Sequence, residues 1–152
     1  MIKTKLEPFW IVGIDKRTTN KNEQAAKDIP ELWATFMSHG TMQKIPNKVD
    51  DTIYAVYTNY ESDHTEEYST IIGCKVANLN NIPEEMTCIK IDQSSYTRFT
   101  AKGDLTKGVI YNEWIKIWNT NLDRKYTTDF EVYGAEAKNP KDAEVDIYVA
   151  IN

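Results

Sequence analysis

Near the C-terminus, Asp129-Phe130-Glu131-Val132-Tyr133 puts a carboxylate in the middle of an apolar run. Strand alternation assigns Glu131 and Tyr133 to one face and Phe130 and Val132 to the other. The final apolar run sets Val145, Ile147, Val149 and Ile151 on one side and Asp146, Tyr148 and Ala150 on the other. If the two runs pair as a hairpin, Glu131 and Tyr148 point into the same space. Glu131 is then either an edge-strand carboxylate or a partly buried acid among aromatic faces, placed to attract a cation or polarise a water. Trp33 with Phe36, and Trp114 with Trp118, form stripes at helical spacing. Such stripes are core, or they are the walls of a groove between two helices on one sheet. Of Tyr54, Tyr57 and Tyr60, the middle one faces opposite to the other two, and alternation does not decide which set meets such a groove.

Other chemistry has little to work with. The only histidines, His39 and His64, and the only cysteines, Cys74 and Cys88, do not make a zinc ligand set, so no metal and no cofactor is expected. Cys74, inside Ile71-Ile72-Gly73-Cys74-Lys75-Val76, reads as a small hydrophobe on a strand. None of the six glycines forms a phosphate-binding loop or a nucleophile elbow. Catalysis or binding must come from carboxylates and aromatics, and thirteen of the seventeen aromatic residues are Trp or Tyr, rings with a polar handle.

The elements that must hold these residues follow from 152 residues with 41% hydrophobic content, enough for one domain with its own core over residues 1–152. Eighteen basic against 23 acidic residues give a net charge of −5, the wrong sign for binding nucleic acid through phosphates. No apolar segment spans a membrane or resembles a signal peptide, which predicts a cytoplasmic protein with no membrane partner. The pattern predicts strands at 9–14, 53–58, 68–76, 86–91, 96–101, 130–133 and 145–151. It predicts a short helix from Pro30, as a first-turn proline, to Gly40, and a second at 105–119 carrying Ile110, Trp114, Ile117 and Trp118. Strand, helix, strand, strand thus occurs twice, with an extra strand between. Most links are too short for parallel crossovers, so the fold class is α+β with largely antiparallel sheet.

Taken in order, Ile29-Pro30-Glu31-Leu32-Trp33, Ile45-Pro46-Asn47-Lys48, the run from Tyr54 to Asp63, Ile72-Gly73, Tyr96-Thr97-Arg98-Phe99, Trp114-Ile115-Lys116-Ile117-Trp118, Asp129-Phe130-Glu131-Val132-Tyr133 and Ile147-Tyr148 resemble the GyrI-like small-molecule-binding family, also described as the AraC-type or integron-associated effector-binding domain. The resemblance implies a duplicated βαββ repeat with pseudo-two-fold symmetry, whose curved antiparallel sheet carries two helices flanking a ligand cleft. It implies that Glu131 matches the strand glutamate that meets cationic, aromatic ligands in drug-sensing members, and that Tyr148 matches an aromatic partner. Tyr57, Trp33, Trp114 and Trp118 carry over as further cleft rings.

The chain starts directly at the first strand, without the helix-turn-helix of the family's transcription factors, so a stand-alone binder of amphipathic, cationic or planar small molecules is expected. The alternative that the resemblance implies is a hydrolase opening strained cyclopropane-containing electrophiles, with Glu131 as general base and Tyr148 or a nearby tyrosine donating to the leaving group. A third reading is a protein-interaction module using the acidic pairs Asp50-Asp51, Glu66-Glu67 and Glu84-Glu85; some relatives inhibit DNA gyrase by protein contact.

Overall fold

The computed structural model describes residues 2–152. Runs rich in Ile, Val, Tyr and Thr form eight strands: β1 (Ile2–Leu6), β2 (Phe9–Thr19), β3 (Ile53–Thr58), β4 (Glu67–Val76), β5 (Thr87–Ile91), β6 (Ser94–Gly103), β7 (Thr128–Tyr133) and β8 (Ala143–Ile151). They build one sheet in the order β1-β6-β8-β7-β3-β4-β2-β5, and every pairing is antiparallel. Helices α1 (Gln24–Ser38), α2 (Thr41–Lys44) and α3 (Val109–Trp118) complete the chain. None of the described helices is long and apolar enough to cross a membrane.

The strand order carries the duplication that the sequence pattern implied. β2-α1-β3-β4 and β6-α3-β7-β8 occupy opposite halves of the sheet, and β3 and β7 meet at its centre. The leading strands are exchanged: β1 adds to the edge of the second half and β5 to the edge of the first. Only Glu7-Pro8 joins β1 to β2, six strands away in the order, and only Asp92-Gln93 joins β5 to β6. A flat sheet would separate such strands by about 29 Å, whereas the connecting chain reaches at most about 11 Å. The sheet must therefore curl until its ends approach. Inside the curl lies a core with Leu6, Phe9, Ile91, Tyr96 and Phe130. The outer face carries α1 over Val12, Ala55 and Ile72, and α3 over Phe99, Ile147 and Val149.

The curl has a local requirement at Gly13 and Gly73, which face each other across β2 and β4. A Cβ on Gly73 would sit inside the backbone carbonyl of Val12, and one on Gly13 inside that of Ile72. No side-chain rotation can relieve either overlap, because the obstructing atoms are main chain.

Several element boundaries differ from the sequence pattern. β1 was not anticipated, since Ile2-Lys3-Thr4-Lys5-Leu6 is a mostly exposed edge strand protected by lysines. β2 runs five residues beyond Ile14 because Asp15 to Thr19 still pair with Glu67 to Ile71. α1 begins at Gln24 and holds Pro30 in its interior; Ala25, Asp28, Leu32 and Phe36 are its buried face, so packing on the sheet outweighs the proline's missing donor. The expected helix over 105–119 is a 3₁₀ turn at Leu105–Lys107 followed by α3, separated at Gly108, whose φ is +72°.

Gly73→Ala is expected to lower unfolding stability by about 3 kcal/mol or more, measured by urea denaturation. An unchanged midpoint would show that the β2–β4 approach is not required.

Candidate functional site

Two helices of this length do not cover the outer face of eight strands, and the gap between α1 and α3 falls over the central strands β3 and β7. There a cavity of about 1520 Å³ opens, lined by residues of both helices and by Tyr57, Tyr60, Tyr68, Glu131 and Tyr133. Glu131 is at its base, 1% exposed. Its neighbours across the sheet, Ala55 and Ile147, cannot hydrogen-bond through their side chains. The carboxylate is instead served by three neutral donors. Tyr57 OH and Trp114 Nε1 each donate to Oε2 at 2.7 Å, and Tyr133 OH donates to Oε1 at 2.6 Å.

Among the described residues no salt bridge reaches Glu131. Burial pushes its pKa above the usual carboxylate range, against the opposing effect of the three hydrogen bonds. Burial and the adjacent carboxylate hold Tyr57 and Tyr133 well above the ordinary phenol value, so both remain donors across the physiological range. Taking one carboxylate out of water costs several kcal/mol, and hydrogen bonds to a charged acceptor return about 1.5–3 kcal/mol each. The three donors thus offset part of the cost of a buried charge, and burial remains the larger effect.

Two residues earlier on the same face, Asp129 is treated oppositely. It is fully buried, but Arg124 Nη2 lies 2.8 Å from its Oδ2. Tyr60 OH donates to the same oxygen at 2.6 Å, and the Ala150 N–H donates to Oδ1 at 2.8 Å. One strand therefore presents a paired and an unpaired carboxylate, and the unpaired one faces the cavity between the helices.

The fold and this site invite comparison with known proteins. Residues 4–151 match the family described as Cass2, integron-associated effector binding protein. The chain belongs to this family. An integron cassette protein from the mobile metagenome of Vibrio cholerae is 30% identical, covered over 99% of this chain and 95% of its own, with a TM-score of 0.75. YobU of Bacillus subtilis (strain 168) is 29% identical over 152 residues, 97% of this chain and 95% of its own. The structure of SAV2435 bound to tetraphenylphosphonium shares the fold at a TM-score of 0.82 and 19% identity, over 99% of this chain and 93% of its own.

The expected site residues divide. Tyr57 and Trp114 touch Glu131 directly. Trp33, on α1, packs edge-on against Tyr133 at 4.9 Å, and Trp118, on α3, stacks with His64 at 5.4 Å; both line the cavity. Tyr148 does not join them. Its register partner is Phe130, on which it stacks at 4.9 Å inside the curl, whereas Glu131 pairs with Ile147. The expectation that Glu131 and Tyr148 share one space is corrected by this register.

The sequence pattern also missed Tyr133, Tyr60 and Arg124. Alternation already placed Tyr133 beside Glu131 and could have singled it out. Tyr60 was grouped with Tyr54, but β3 ends at Thr58 and Asn59 takes a φ of +52°, which turns Tyr60 back to the cavity side while Tyr54 stays inside the curl. Arg124 lies in an irregular stretch with no periodic signal.

Glu131→Gln keeps the side-chain shape: its carbonyl can accept from Tyr57 and Trp114, and its amide can donate to a reversed Tyr133 hydroxyl. Because the folded-state pKa of Glu131 is raised, the folded chain holds its proton to higher pH than the unfolded chain, and this group's contribution to stability declines as pH rises through that interval. The stability of Glu131→Gln relative to wild type is therefore expected to increase with pH, measured by urea denaturation from acidic to mildly alkaline buffer. A pH-independent difference would contradict the raised pKa.

Proposed function

We propose that the cavity binds amphipathic aromatic cations, with Glu131 as the counter-charge and Tyr57, Trp33, Trp114 and Trp118 as surrounding rings. The observation that carries this reading is the buried carboxylate held by three neutral donors and, among the described residues, by no protein cation. A ligand cation supplies the missing charge without displacing those donors. At about 4 Å and an effective dielectric near 20, the attraction is worth about 4 kcal/mol before desolvation; a cation over an aromatic face adds about 0.5–2 kcal/mol. The carboxylate is thus the larger contribution and the rings supply shape and apolar area. Membership of an effector-binding family supports small-molecule binding, and tetraphenylphosphonium, the ligand of SAV2435, is a ligand of this chemical class.

Ring opening of strained electrophiles has less support. Tyr148, the first choice as leaving-group donor, stacks on Phe130 on the opposite side of the sheet, and the nearby tyrosines that remain for that role, Tyr57 and Tyr133, already donate to Glu131.

The test compares N,N,N-trimethyl-2-naphthylammonium with its uncharged isostere 2-tert-butylnaphthalene, using tryptophan fluorescence to follow binding. Glu131→Gln is expected to weaken the cation about 10- to 100-fold, or about 1.4–2.8 kcal/mol, and the isostere by less than threefold. Equal losses for both would remove Glu131 as the counter-charge.

A further inference from the structure

At the α3 end of the cavity, polar atoms are left without partners. Arg124 spends Nη2 on Asp129, but its Nε and Nη1 are buried and have no acceptor among the described residues, although the side chain is only 5% exposed. His64 Nδ1 is likewise buried without a partner. Arg124 and His64 both line the cavity. The His64 ring is stacked on Trp118, and the Arg124 guanidinium lies 4.4 Å from the Tyr126 ring and 5.9 Å from that of Trp114. Buried polar groups of a native protein nearly always find partners, so the unpartnered Arg124 N–H groups and His64 Nδ1 at a cavity wall point to a group the cavity receives.

The chemistry of that group follows from what is already neutralised. Asp129 balances the Arg124 charge, so a second anion entering here would meet the Asp129 carboxylate with no cation of its own. An uncharged acceptor oxygen, as in a ketone, amide or sulfonyl group, takes the free N–H groups without that repulsion. Trp114 sets the spacing, because its Nε1 donates to Glu131 while its ring carries the guanidinium. The two polar features therefore border the same indole, Glu131 at its edge and Arg124 over its face.

We propose that Arg124 and His64 form a second subsite for an uncharged oxygen acceptor, so that the preferred ligand is an aromatic cation bearing a carbonyl-type oxygen about one ring system from its charge. This rests on the reading of Glu131 as the counter-charge, and names the ligand class more closely.

The probes are 6-acetyl-2-(trimethylammonio)naphthalene, its 6-isopropyl analogue of similar shape, and the 6-carboxylate. Wild type is expected to bind the acetyl compound at least tenfold more tightly than the isopropyl compound, and the Arg124 Nε–H resonance to shift with the first and not the second. Arg124→Lys retains a cation for Asp129 but removes the free guanidinium donors, and is expected to reduce the acetyl-to-isopropyl ratio below threefold. The Nε–H readout on wild type stands even if that variant folds poorly. A ratio near one in wild type, an unmoved resonance, or a ratio preserved in Arg124→Lys would overturn the subsite; a carboxylate bound more tightly than the ketone would overturn its assignment to uncharged acceptors. Glu131→Gln separates the two ideas: it lowers affinity for both cations while leaving their ratio high, whereas loss of the ratio in wild type alone leaves the Glu131 reading intact.

Discussion

The buried carboxyl group of Glu131, without an ion pair, constrains everything around it. A carboxylate held by two tyrosines and a tryptophan, with no salt bridge among the described residues, exists only where rigid elements bring three donors to two oxygens. Tyr57 comes from β3, Tyr133 from the same strand as the glutamate, and Trp114 from α3. Their convergence depends on the pairing of β3 with β7, and hence on the duplication that brings these two strands to the centre of the sheet. It also depends on α3 sitting far enough from α1 to leave the carboxylate facing open volume.

The duplication therefore serves the site as well as the fold. Each half contributes a helix to the outer face and a central strand beneath the gap. The exchange of β1 and β5 and the two-residue links force the curl, which buries Phe130 and packs the half-buried Tyr148 on the inner side and leaves the outer side to the helices. The halves differ where chemistry is needed. β7 carries both carboxylates, and its register partners on β3, Tyr57 opposite Asp129 and Ala55 opposite Glu131, are uncharged. Balancing Asp129 with Arg124 while leaving Glu131 without an ion pair gives the base of the cavity one buried carboxyl group that no cation among the described residues balances.

Alternation within β7 was legible from the sequence, because a period of two fixes which of its residues share a face. The same rule failed for Tyr148. Both faces of this sheet are buried, one by the curl and one by helices, so an apolar face on β8 does not say which side it occupies. The register Glu131–Ile147 decides it, and register is a tertiary quantity. The helical stripe of Trp114 and Ile117 identified α3, but Pro30 was read as a first-turn residue because nothing local shows that Ala25 and Asp28 are buried on the sheet. Arg124 was invisible for a simpler reason: an isolated arginine between polar residues looks like solvent-exposed surface until its carboxylate partner is placed.

The most direct measurement is a 13C NMR titration of the Glu131 side-chain carboxyl in the free protein and with a saturating aromatic cation. The account predicts a pKa above that of an exposed glutamate when free, because burial disfavours the charge, and a marked fall on binding, because the cation favours it. A pKa near the ordinary value of about 4.3, unmoved by the cation, would contradict the claim that an unpaired buried carboxylate organises this cavity.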